Sequence, residues 1–123
     1  MRTNARIIVD TGGVFRSSYV HYDGHHILPI LRKHYNTPEK AQELIDLGDL
    51  SSLGKKVAPE KGTQHTFNNP CSGVTVAYHR DRGEKYTNYY ATSVDALLRK
   101  AREPYVYFYD KEDGWIPVRP AFK

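Results

Sequence analysis

Three of the six histidines, His21, His25 and His26, stand with Asp23 inside the stretch Tyr19-Val-His-Tyr-Asp-Gly-His-His26. A strand puts His21 and Asp23 on one face, and a turn after it can swing His25 towards them. Imidazole with carboxylate suits a transition metal, or a general base. His21 and His25 stand four apart, but across an Asp-Gly turn rather than along one helix, and no Cys-x-x-Cys spacing is present, so no metal site is expected. The plain alternative is a set of turn and surface histidines.

A second cluster is Tyr78-His-Arg-Asp-Arg-Gly-Glu84. Arginine forks grip phosphate or carboxylate in bidentate fashion, and Gly83 lets backbone approach a ligand. Tyr78, Tyr86, Tyr89 and Tyr90 offer rings for stacking on bases. The alternative is an internal network joining Arg80 or Arg82 to Asp81, Glu84 or Asp23. The candidate ligand site thus comprises His21, Tyr22, Asp23, His25, Tyr78, Arg80, Arg82 and Glu84. It requires the Asp-Gly corner and the arginine-bearing segment to converge in space.

Other features carry less. Cys71 is the single cysteine, with no activating base beside it in sequence, so it reads as a packing thiol. Glu39, Glu43 and Asp46 form an acidic ridge that suits solvent or a basic partner. No phosphate loop, dinucleotide glycine fingerprint, nucleophile elbow or zinc motif is present, so no cofactor is expected.

The elements that must position these groups follow from periodicity. Arg6–Asp10 and Val14–Val20 around Thr11-Gly12-Gly13 read as a β-hairpin, with Phe15 and Tyr19 on its inner face. Asp23-Gly24 is a turn in which Gly24 takes the positive φ. Ile27, Ile30, Leu31, His34 and Tyr35 fall at helical spacing, with the helix starting near Leu28 and Pro29 in its first turn. Thr37 caps a second helix, Pro38–Leu47, stopped by Gly48. Lys55–Gly62 is a loop, and Gln64–Phe67 a short strand. Gly73–Arg80 has the strongest strand pattern in the chain, and Tyr86–Tyr90 extends the sheet. Thr92 or Ser93 caps a helix over Val94–Arg102. Tyr105–Tyr109 and Trp115–Val118 form a final hairpin, with Pro117 on an edge strand. Together these predict one α+β domain over residues 1–123, with a mainly antiparallel sheet and about three helices on one face.

Composition sets the outer bounds. The 123 residues suffice for one core; 39% are hydrophobic, and ten Tyr and four Phe add apolar area. Oligomerisation would help so small a domain. There are 18 Lys and Arg against 14 Asp and Glu, a formal charge of +4. Four acids, Glu39, Glu43, Asp46 and Asp49, crowd one segment whose only base is Lys40, so the positive excess lies elsewhere and can orient an anionic partner. A lone cysteine suits a reducing compartment. With no signal peptide and no apolar run long enough for a bilayer, cytosolic residence without membrane contact is expected.

Four segments also resemble a family when taken as a set: His21–Gly24, His34–Lys40, Leu47–Gly54 and Val74–Glu84. They resemble small, uncharacterised proteins encoded by bacteriophages and prophages, and the likeness spans residues 5–118. That family usually has Cys-His-Trp-Asp-Gly-Tyr-Pro where this chain has Val20-His-Tyr-Asp-Gly-His-His26, so Tyr22 stands at the Trp position. The resemblance implies residence in the cytoplasm of a bacterial host and an accessory, anti-defence role exercised by binding. It implies no particular reaction. Three functions follow as expectations. The first is binding of an anionic nucleotide or nucleic acid. The second is inhibition of a host defence protein, through the acidic ridge or the tyrosine-rich C-terminal hairpin. The third is a small hydrolase or nuclease built on His21, Asp23 and His25. The first is favoured, because no convincing catalytic pair accompanies the binding groups.

Overall fold

The computed structural model describes residues 3–119. Strand β1 (Ala5–Asp10) turns through Gly12 and Gly13, both at positive φ, into β2 (Phe15–Val20), antiparallel to it from Ala5↔Val20 to Asp10↔Phe15. Asp10 and Thr11 fix the turn: the Asp10 carboxylate accepts from the Gly12 N–H, and the Thr11 hydroxyl donates to the Val14 carbonyl. A single 3-10 turn (Gly24–His26) leads to helices α1 (Leu28–His34) and α2 (Pro38–Ile45). Short strands β3 (Leu50–Ser52) and β4 (Val76–Ala77), helix α3 (Tyr78–Arg82) and strand β5 (Tyr89–Ala91) follow. Helix α4 (Val94–Lys100) precedes the closing hairpin of β6 (Tyr105–Asp110) and β7 (Gly114–Arg119).

The strands form one sheet in the order β4-β3-β2-β1-β6-β7, with β5 sharing the β2 edge with β3. The α+β class stands. The sheet is mixed rather than mainly antiparallel, because β1 pairs parallel with β6 and β2 parallel with β3. Hairpins are antiparallel by necessity, but strands separated by a helical crossover are free to pair parallel. The α1–α2 segment supplies that crossover between β2 and β3.

Helices cover both faces, which corrects the expectation of one. Ile7, Val9, Val20 and Trp115 pack with Leu31, Leu44 and Ile45 of α1 and α2, while Ile8 and Val106 meet Leu97 and Ala101 next to α4 on the other side. The reason lies in β1, where Ala5 to Val9 are all buried. A strand enclosed on both sides carries a continuous apolar run rather than alternation. In β2, Phe15 faces the α4 side and Val20 the α1–α2 side, so the strand has two inner faces. The C-terminal hairpin lends Tyr107 and Tyr109 to the core, which removes them from any partner surface.

Local caps position the rest. Thr37 accepts from the Lys40 N–H at the start of α2, which stops two residues short of Leu47. Ser93, not Thr92, caps α4 by accepting from Ala96. At the Asp23-Gly24 corner it is Asp23 that takes the positive φ, 56°. Gly24 is needed for closeness instead: a Cβ there would lie 2.4 Å from the Thr3 carbonyl oxygen. Residues 64–67 form no strand, and the strand expected over Gly73–Arg80 is confined to β4 and a single bridge between Val74 and Lys56. From Tyr78 the chain coils into α3, because the Asp81 carboxylate turns back to accept from the Ala77 N–H at 2.8 Å. Among the described residues no helix is long and apolar enough to cross a membrane.

Candidate functional site

Beyond β2 the chain stays beside β3. The N–H groups of His21 and Tyr22 donate to the carbonyls of Leu50 and Ser51 at 3.0 and 2.9 Å. Their backbone is thereby fixed while both side chains face solvent. The His21 Nδ1 lies 2.6 Å from the Tyr19 hydroxyl, and its ring meets Tyr22 edge-on at 4.5 Å between centroids. Ser51 and Ser52 of β3 lie next to them, and α3 supplies Tyr78 and Arg82. These groups line one cavity of about 480 Å³ together with Phe67, Pro70 and Val76. That volume falls in the usual range for small-molecule sites.

Arg82 is the charged group of this cavity. Its guanidinium carbon sits 4.3 Å from the Phe67 ring centroid and 5.1 Å from that of Tyr78, within cation–π range. Glu84 pairs with it across the short turn that follows α3. Both side chains remain close to half exposed, 49% and 43%, and ion pairs so open to water hold weakly. Burial pushes the Tyr78 hydroxyl above its ordinary pKa, against the lowering effects of Ser51 and Arg82. Tyr78 therefore stays protonated at neutral pH, able to donate as well as accept.

Arg80 is not part of this site. Its guanidinium donates to both oxygens of Asp81, and to the carbonyls of Val57 and Thr75 at 2.6 and 2.7 Å. The Asp81 side chain is only 5% exposed and also meets the His65 Nε2 at 3.1 Å. Burial raises the Asp81 pKa, but Arg80, the Ala77 N–H and His65 together outweigh it and hold the carboxyl below its usual value. His65 accepts the Cys71 N–H at its Nδ1, so its Nε2 carries the proton towards Asp81. The Cys71 thiol donates to the Gln64 carbonyl. The whole group fastens the loop between β3 and β4; the internal network foreseen for the arginines is the role of Arg80 with Asp81, and Arg82 meets it only through its exposed pair with Glu84. In a strand, residues two apart share a face. In a helix they are turned roughly 200° apart, while residues four apart align. Helix α3 therefore pairs Tyr78 with Arg82 and sends Arg80 elsewhere.

Of the eight expected residues, His21, Tyr22, Tyr78 and Arg82 meet in one cavity, and Glu84 joins them through Arg82. Asp23 opens instead into an adjoining hollow of about 240 Å³. His25 turns away to stack with His26 at 3.7 Å and with Tyr105 at 5.9 Å. Among the described residues, no three His, Cys, Asp or Glu side chains gather as a metal-binding cluster. Ser51, Ser52 and Phe67 were not singled out from the sequence. Phe67, an aromatic in an otherwise polar loop, carried the one legible signal; the serines carried none.

Comparison with models of known protein families, with curated proteins and with solved structures finds no match. Function therefore rests on the site. The cavity can stack a planar ring, meet its edge with hydroxyls, and hold an anion at Arg82.

Proposed function

We propose that the protein binds a nucleotide-type ligand, a planar base carrying phosphate. One observation carries this reading: a half-exposed guanidinium stacked on Phe67 and Tyr78 at a cavity that Tyr22 and His21 also line. Base–aromatic stacking tolerates any base, Ser51, Ser52 and Tyr78 meet polar edges, and Arg82 exchanges Glu84 for the phosphate. The protein acts as a binder rather than a hydrolase. His21 engages Tyr19 and Asp23 faces a different hollow, so the two do not make an acid–base pair. The likeness to small phage proteins gives this binding a purpose: sequestering a nucleotide signal of host defence.

Calorimetric titration with the four common mononucleotides at low salt tests the reading. Saturable binding is expected, weakened by about 1–3 kcal/mol in Phe67→Ala. Absence of binding by every nucleotide, or equal binding by the variant, would overturn it.

A second reading, docking onto a host protein, draws on Tyr89 and Tyr90 of β5, which are 49% and 71% exposed. Exposed tyrosines of this kind are favoured at interfaces. If Tyr90→Ala retains as much host protein on an affinity column as the parent chain does, that reading fails.

A further inference from the structure

The aromatic cavity does not end at Tyr22. It shares Tyr22 and Ser52 with the hollow that holds Asp23. That hollow in turn shares Ile30 and Leu53 with a third cavity, of about 390 Å³, where Lys33, His34 and Lys55 stand around a floor of Pro29 and Ile30. The three cavities adjoin through these shared lining residues, a run beside β3 and the residues after it that one extended ligand can follow as a groove. Its stacking rings stand at one end, and its two lysines, both exposed, at the other.

Cations outnumber carboxylates along it. Arg82, Lys33 and Lys55 line the groove; Asp23 is the one lining carboxylate, and Glu84 stands beside the groove paired with Arg82. A mononucleotide fills the aromatic end and leaves the lysines without a partner. A chain of nucleotides places a base against the packed rings of Phe67 and Tyr78, whose centroids lie 5.7 Å apart, and carries further phosphates past Tyr22 to the lysines. Ile30, Leu53 and Pro29 provide apolar surface for sugar and base faces between these contacts. Asp23, near the midpoint, repels phosphate and accepts hydrogen bonds, so a base or sugar rather than a phosphate belongs beside it.

We propose that this groove binds single-stranded nucleic acid longer than one nucleotide, with the base site at Phe67 and Tyr78 and the phosphate track at Lys33 and Lys55. The inference rests on the nucleotide reading of the aromatic cavity and extends it to ligand length and strandedness.

The test titrates the full chain at low salt with mononucleotides, mixed-sequence single-stranded hexamers, a duplex of matching sequence and hexaglutamate. The hexamer should bind at least about tenfold more tightly than the best mononucleotide. Its salt dependence should be steeper by about 1.4 in log–log slope, the value for two added single-strand phosphate contacts. In a K33A/K55A variant, whose changes lie on exposed side chains, the hexamer should bind no more tightly than the mononucleotide. Equal affinity of hexamer and mononucleotide would overturn the groove and leave the nucleotide site standing. Duplex or hexaglutamate binding as tight as the hexamer would overturn it too, since charge alone would then explain the affinity. Binding by none of the nucleotide probes would remove both the groove and the site on which it depends.

Discussion

The Arg82 guanidinium lies over the Phe67 ring at 4.3 Å while Glu84 holds it from the side. The ring comes from a loop and the arginine from α3, so the contact exists only when that loop is folded against the helix. It also sets a competition, because a ligand anion must displace Glu84. Glu84→Gln should therefore tighten nucleotide binding, by up to about fivefold, the upper end of what exposed ion pairs are worth. Arg82→Lys should weaken it, since an ammonium lacks the planar fork and stacks poorly. Dissociation constants for the two variants check both signs.

The corner that carries Tyr22 is anchored from behind. The Tyr107 hydroxyl donates to the Gly24 carbonyl at 2.7 Å, and there is no room for a side chain at Gly24. Gly24→Ala should cost about 1–3 kcal/mol through overpacking. Gly12→Ala, where nothing lies within 4 Å, should cost only the strain of its positive φ, about 1–2 kcal/mol. Burial, with Tyr105 adding to it, pushes the Tyr107 pKa up to about 12. A raised folded-state pKa contributes stability that is complete below the ordinary tyrosine value and is lost as pH rises through about 12. Denaturant melts at alkaline pH should show that loss in the parent chain and a smaller one in Tyr107→Phe.

Asp81 works in the opposite direction. Its folded-state pKa is depressed, so its contribution is present above the unfolded value and lost as pH falls through the folded one. Stability of the parent chain should drop below pH of about 4, near the ordinary aspartate value, and Asp81→Asn should lack that component. At neutral pH the variant should be destabilised by about 1–3 kcal/mol, because the amide loses the charge that pairs with Arg80 and keeps only one of the two acceptor oxygens that Arg80, His65 and the Ala77 N–H share. Thermal unfolding across an acid pH series separates the two effects.

Arg6 of β1 and Glu103, in the link from α4 to β6, form an ion pair at 2.9 Å, with 7% and 9% of their side chains exposed. Arg6 also donates to the Ser17 hydroxyl. Glu103→Ala should cost about 3–5 kcal/mol by stranding a buried guanidinium, and an R6M/E103L double variant should recover most of it. Chemical denaturation of the three proteins decides this, with persistent loss in the double variant as the contrary outcome.

Local chemistry made the elements legible in the chain itself. Two glycines between β-branched runs fixed the first hairpin, Thr37-Pro38 fixed the start of α2, and Asp113-Gly114 lay at the turn of the last hairpin. The tyrosines and Arg82 were recognisable as ligand-binding types for the same reason, that side-chain chemistry belongs to the residue. What surrounds a residue does not. Val74, Val76 and Ala77 suggested a long strand, and only the Asp81 contacts with Ala77, His65 and Arg80 ended it. That change from a two-residue to a 3.6-residue period decided which arginine faces the cavity. Parallel pairing of β1 with β6, helices on both faces, and the meeting of Phe67 with Arg82 all join segments distant along the chain. Such contacts depend on how the whole core closes, which local periodicity does not encode.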